Sequence, residues 1–246
     1  MPVVYFHAIN TLGMPLVLIC FLFVVSCAHR PVLNNKDPRL ALHEICQIGN
    51  NIDEVRGSAW LKIKSPNKSG QFPANIFVKS PNQLQLEVTN LLGGREAFIK
   101  YEKNKVKIER PNQETTQEKL DQSELWNGLP LQWAITLFLG RFPCPSEKEE
   151  KLIIEITDKD ELKIQQQNTH ETETFLYQLK KWQDKPWVKA LIWEKKNSTK
   201  NENALQITFS FDRPEETTLS PKKWEIVSSH GEIKFRWKDR QITFNP

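Results

Sequence analysis

Few residues in this chain have types and spacings suited to chemistry. His43-Glu44 is the first such pair, but no second histidine follows four residues on, so the zinc-protease helix pattern is incomplete. His170 lies in "NTHETE", a polar stretch that reads as a solvated turn. Gly93-Gly94 lacks the further glycines of a phosphate-binding loop, and no G-x-S-x-G elbow occurs. Asn197-Ser198-Thr199 matches a glycosylation sequon but sits in a Lys/Asn-rich hairpin loop, which reads as coincidence. Catalysis needs a nucleophile, a base and a stabiliser placed together. The sequence offers no such grouping, so no catalytic residue, metal or cofactor is expected.

The cysteines say more. Met1 to Ser26 contains no Asp, Glu, Lys or Arg, and "GMPLVLICFLFVVSC" is apolar over a stretch short of the ~20 residues that span a bilayer. An apolar run closed by small residues before a cleavage point is a secretory signal. Here it ends in Val24-Val25-Ser26-Cys27, which resembles a bacterial lipobox with Cys27 as the acylated mature N-terminus. The expected boundaries are a signal peptide over 1–26, a lipidated tether over 27–36 and one domain over 37–246. The signal implies an oxidising compartment, where Cys46 and Cys144 are expected to pair as a disulfide rather than bind metal. The 246-residue chain carries a net charge of +4 with Lys and Glu interspersed, so nothing reads as a nucleic-acid tail.

The elements around these residues follow from periodicity. Asp37-Pro38 reads as an N-cap with proline at the first helical position, and the spacing predicts a helix over about 37–50. From Gly57 the period becomes two. Ala59/Leu61/Ile63, Phe72/Ala74/Ile76/Val78, Leu84/Leu86/Val88 and Ala97/Ile99/Tyr101 alternate with polar residues, and Pro73 hints at an edge strand. Strand patterns return at Leu152–Ile156 and run through Phe175–Leu179, Leu205–Phe211 and Trp224–Val227 to Ile242/Phe244. Between the two sets, "GLPLQWAITLFLG" is a helix apolar nearly all round, so it is buried or sits in a lipid-like cavity. The fold class is mainly β, with helices: an incomplete antiparallel β-barrel of about eleven strands whose concave hydrophobic cavity the helices plug. On that face Leu84, Leu86, Phe98, Trp133 and Leu137 are expected to form either an ordinary hydrophobic core or an acyl-chain cavity, and the residues alone leave both open. For Phe98 the parity conflicts, because Ala97 and Ile99 claim the other side.

The turn "TNLLGG" does not fit a polar surface. A turn's backbone faces water, yet its tip carries Leu91 and Leu92. Folding back into the core and contact with a membrane are both open on the residues alone.

"QLQLEVTNLLGGREAFIKYEKNKVKIERP", followed by "NGLPLQWAITLFLGRFP", resembles the LolB family of outer-membrane lipoprotein receptors. The late "LSPKKWEIVSSHGEIKFRWKDRQITF" resembles that family's closing strands, and the lipobox agrees. The chain departs from the family in Leu91 where proline is common, in the Cys46/Cys144 pair and in a Lys-rich hairpin near 195–203. The resemblance implies a monomer that is lipid-anchored to the outer membrane and faces the periplasm. It would take acylated lipoprotein cargo from the periplasmic carrier LolA and insert the acyl chains among outer-membrane lipids. Ala28, where inner-membrane lipoproteins often carry Asp, agrees with that sorting. Leu92 matches the family's protruding-loop leucine, with Leu91 the less sensitive neighbour. The alternative is a lipoprotein of the same fold that binds another lipid or assists envelope assembly. An enzyme in a lipid-binding shell is a third class.

Overall fold

In a computed structural model of the chain, the Asp37 carboxylate accepts a 2.9 Å hydrogen bond from the Arg39 amide and caps helix α1 (Pro38–Gln47). Asp satisfies an amide that the first turn leaves without a partner, and proline's fixed φ suits that position. The helix is shorter than the expected 37–50. Ile48 leaves it with ψ 123° and Gly49 takes φ +75°, so the chain turns before Asn50. The structure describes residues 37–66, 69–81, 83–103, 105–111, 115–118, 124–125, 129–145, 152–157, 159, 161–167, 171–183, 185–197, 204–216, 218 and 220–245. The expected signal peptide, the tether with Cys27, His170 and the sequon's Ser198 and Thr199 lie outside the described residues.

The period-two segments form β1 (Ile52–Lys64), β2 (Ser69–Lys79), β3 (Gln83–Thr89), β4 (Arg95–Glu102), β5 (Lys105–Glu109) and β6 (Thr116–Glu118). A small pair follows, β7 (Glu124–Leu125) with β8 (Leu129–Pro130), and leads into helix α2 (Leu131–Phe138). The second series is β9 (Leu152–Ile156), β10 (Glu161–Gln167), β11 (Glu171–Trp182), β12 (Lys185–Asn197), β13 (Leu205–Phe211), β14 (Lys223–Ser228) and β15 (Gly231–Phe244). Thirteen strands make one antiparallel sheet in the order β6-β5-β4-β3-β2-β1-β15-β14-β13-β12-β11-β10-β9. Two meanders thus run outward from a central pair, the first and last strands, with β6 and β9 as open edges. This is an incomplete antiparallel barrel, with two strands more than the expected eleven.

β2 is not an edge strand, although it contains Pro73. It pairs with β1 throughout, Trp60 opposite Pro73, while its register with β3 begins only at Ala74↔Val88. From Pro73 back to Ser69, β2 has no neighbour on the β3 side, so a missing amide is tolerated there. β10 was not singled out in the sequence, because Leu162 and Ile164 are its only aliphatic side chains and three glutamines follow. Both leucine and isoleucine are fully buried.

One face of the sheet is apolar, and α2 packs on part of it. Trp133 sits edge-on to Trp193 at 4.4 Å between ring centroids and touches Phe175 and Phe209. Phe138 meets Phe235, Trp224 and Trp237. Tilted and edge-to-face rings add roughly 0.5–1.5 kcal/mol per pair beyond their buried area. The helix stops where Gly140 takes φ +72°, and a Cβ at that position would lie 1.9 Å from the Ser220 hydroxyl. Glycine is required there twice over, by backbone and by space.

α1 packs on β9, β10 and β12. Cys46 at its end is bonded to Cys144, with 6.1 Å between Cα atoms. Arg141 donates to the carbonyls of Gly49 and Ile52 at 3.0 and 2.7 Å, and the buried Tyr177 hydroxyl donates to the Pro143 carbonyl at 2.7 Å. The segment after α2 is therefore tied to the end of the sheet where β1 begins. The β3–β4 turn lies at the other end, where β1 finishes.

Candidate functional site

The β3–β4 turn is built by one side chain. The Asn90 carboxamide oxygen accepts from the amides of Leu92 and Gly94 at 3.0 and 2.8 Å. The Asn90 amide donates to the Gly94 carbonyl, and the Gly93 amide donates back to the Asn90 carbonyl, at 2.8 and 3.0 Å. Gly93 takes φ +84°, a region that costs an L-residue roughly 1–2 kcal/mol. The polar groups of the loop are satisfied locally, and what projects is apolar. Leu92 is 97% exposed and Leu91 73%. Neither leucine returns to the core.

The first arm of the inner face carries Leu84, Leu86 and Val88 on β3, Ile99 and Tyr101 on β4, and Val106 and Ile108 on β5, all buried. Trp133 and Leu137 of α2 belong to the same continuous core. Leu84, Leu86, Trp133 and Leu137 are thus all buried in one core, with the ring contacts of Trp133 made to the second arm. Phe98 is different and corrects the expectation. It stands opposite Glu87 on one side and Glu109 on the other, on the outer face, because its neighbours Ala97 and Ile99 turn inward. There the Arg95 guanidinium lies 5.2 Å from the ring centroid and pairs with Glu87 and Glu109 at 3.0 and 3.7 Å. The residues that take its place inside are Ile99 and Tyr101, already visible in the Ala97/Ile99/Tyr101 alternation. Phe175, Trp193 and Phe209 of the second arm also line the floor under α2. Their strand periodicity placed them in the sheet, but nothing in the sequence paired them with Trp133.

The buried ionisable groups of this region hold backbone. Burial raises the Tyr177 phenol far above its usual value, so it stays a neutral donor to Pro143. Burial lowers the Arg141 guanidinium, offset in part by the charge of Asp53. Among the described residues, no three His, Cys, Asp or Glu side chains converge as metal ligands.

The sequence matches no protein-family model and no curated protein. Solved structures do match the architecture. A DUF1329-family protein from Desulfovibrio piger superposes with a TM-score of 0.55 at 6% identity, over 85% of this chain and 94% of that one. The two share a fold. A LolA-superfamily protein from Nitrosomonas europaea gives 0.48 at 10% identity, with the same two coverages. The Mycobacterium tuberculosis lipoprotein LppX gives 0.34 at 11% identity, over 85% of this chain and all of that one. At 6% identity, the likeness to the Desulfovibrio piger protein speaks to the fold alone.

Proposed function

We propose that the protein is a lipid-anchored receptor on the periplasmic face of the outer membrane. It accepts acylated lipoproteins from the carrier LolA and delivers their acyl chains to the membrane. The observation that carries this reading is the β3–β4 turn, a hydrogen-bonded loop holding Leu92 almost wholly in solvent. Fixing a bare leucine at the tip of an ordered turn has no folding benefit. Full burial of that side chain in lipid contributes about 1.5–3 kcal/mol, enough to perturb acyl packing locally and too little to anchor a protein. Anchoring falls to an acylated Cys27, because one inserted residue cannot supply it.

The inner face supplies the receiving surface. It is apolar and continuous, and the part under α2 is covered by one short element between the β7–β8 pair and Gly140, while Ala41 and Ile45 of α1 cover another part. Acyl chains would take over the contacts α2 now makes. Each methylene covered is worth ~0.8 kcal/mol, so an acceptor that covers a few more of them than the donor draws the cargo forward. No bond is made or broken in such a handover, and no cofactor is called for.

The test separates receiving from delivering. Leu92→Glu, at an exposed position, should melt within about 1–2 °C of the wild type, because surface changes stay within ~0.5 kcal/mol. It should accept lipoprotein from loaded carrier as the wild type does, yet fail to release it into liposomes, since a carboxylate resists entry into an apolar layer. Full liposome transfer by this variant would defeat the insertion step. A folded wild-type protein that takes nothing from loaded carrier would replace the receptor reading with a same-fold protein for another lipid.

A further inference from the structure

The outer face of the sheet holds a second feature, apart from the turn and the apolar core. A groove of about 500 Å³ crosses β2, β1, β15, β14 and β13. Its wall carries Lys62, Lys223, Lys234 and Arg236 against the carboxylates of Asp212 and Glu225. The registers place like charges face to face: Lys62 is opposite Lys234, and Lys223 is opposite Arg236. Directly opposed like charges destabilise a strand pair. The carboxylates relieve only half of this. Asp212 holds Lys223 at 2.9 Å, while Glu225 and Glu232 hold Lys234 at 3.2 and 2.7 Å. Lys62 and Arg236 have no ion-pair partner among the described residues. Trp60, half-buried and opposite Arg236, completes the wall with an indole surface.

The groove sits at the same level as the leucine turn. Continuing the β2–β3 register beyond Ala74↔Val88 sets Leu91 level with Gln71, which also lines the groove. Two strand spacings, roughly 10 Å, separate β3 from β1 along the sheet. A membrane reached by Leu92 therefore brings its headgroup layer to the height of Lys62 and Arg236. Tryptophan beside lysine and arginine is the composition that favours such a layer.

We propose that this groove binds the phosphate of an anionic lipid headgroup while the leucine turn is inserted, a step that rests on the membrane-contact reading above. Lys62 and Arg236 contact the phosphate oxygens, and Trp60 lies against the headgroup. The phosphate offsets Lys62 and Arg236, the member of each like-charge pair that the carboxylates leave uncompensated.

The test uses the full chain reconstituted in phosphatidylcholine bilayers, with and without phosphatidylglycerol, and acetic anhydride labelling of lysines read by mass spectrometry. Labelling of Lys62 and Lys234 should fall about fivefold when phosphatidylglycerol is present. Lys196, at the same end of the sheet but outside the groove, and Lys79, opposite Glu54 at the end where β1 begins, should change little. Arg236→Gln, at an exposed position, should keep the wild-type melting temperature and lose most of the protection at Lys62. Equal protection of Lys196 would reduce the effect to surface potential and overturn the site. Equal protection by millimolar glycerol phosphate over plain phosphatidylcholine would overturn the lipid as the source. Unchanged labelling of Lys62 in a protein that still delivers lipoprotein to liposomes would remove the groove and leave the receptor standing. Protection at Lys62 that persists in Leu92→Glu would keep the groove and overturn its dependence on the turn.

Discussion

Leu92 stands in water because Asn90 and Gly93 hold it there. Asn90→Ala removes the acceptor for two turn amides. The expected cost is about 1 kcal/mol in urea unfolding, and carrier acceptance should persist while liposome transfer slows, since the tip is no longer pre-formed. Gly93→Ala isolates the backbone component, because a Cβ at that position meets nothing within 4 Å. A loss of roughly 1–2 kcal/mol, with no steric contribution, would match the cost of φ +84° for an L-residue. A loss near zero would show that the turn relaxes to another conformation. The two leucines were legible in the sequence as an anomaly, since apolar tips break the composition rule for turns. Their direction was not, because it depends on the hydrogen bonds of Asn90. Phe98 was misplaced for a related reason. Its parity already conflicted with Ala97 and Ile99, and strand parity is fixed by all the neighbours together, so Ile99 and Tyr101 outvote it.

At the scale of elements, α2 was the most legible. Its near-uniform hydrophobicity between Pro130 and Gly140 predicts burial on all sides, and only Gln132 is exposed. Leu137→Ala should lower stability by about 2–5 kcal/mol, measured by urea unfolding, through lost contacts and the cavity left behind. The strands with clean alternation were legible as well. β10 was not, because glutamine stands even at the buried position 166, where an aliphatic side chain would carry the signal. Strand order was invisible, as pairing the first strand with the last leaves no local trace. α1 is held by two kinds of tie, packing on the second arm and the Cys46–Cys144 bond across 98 residues. Replacing both cysteines by serine should cost about 2–4 kcal/mol, with ~4.7 kcal/mol as the entropy-model ceiling for a loop of this size. A urea series on the double variant measures it. Thiol titration of unreduced wild-type protein should find neither Cys46 nor Cys144 reactive.

At the scale of the whole molecule, acid should loosen the outer loops before the core. Burial alone would raise the Glu215 carboxyl, but hydrogen bonds from Lys222 and Arg240 outweigh it and hold it below the usual 4.5. A depressed carboxyl contributes fully above its unfolded value, and the contribution is lost as pH falls through the folded one. Urea midpoints of the wild type should therefore drop between about pH 5 and pH 3, and Glu215→Gln should drop less over that window. Equal slopes would show that the loop pairing Pro214 with Pro221 is already open at neutral pH. The central pair sets a different limit, one of timing. β1 meets β15 from Ile52↔Phe244 to Lys64↔Glu232, so the seam of the sheet joins its first strand to its last. A chain emerging from its N-terminus can build the first meander early, but β1 then waits as a bare edge until β15 is made. Such distant pairings close slowly. The half-made molecule is a sticky sheet in search of a strand, and whatever escorts it during synthesis must cover that edge until β15 arrives.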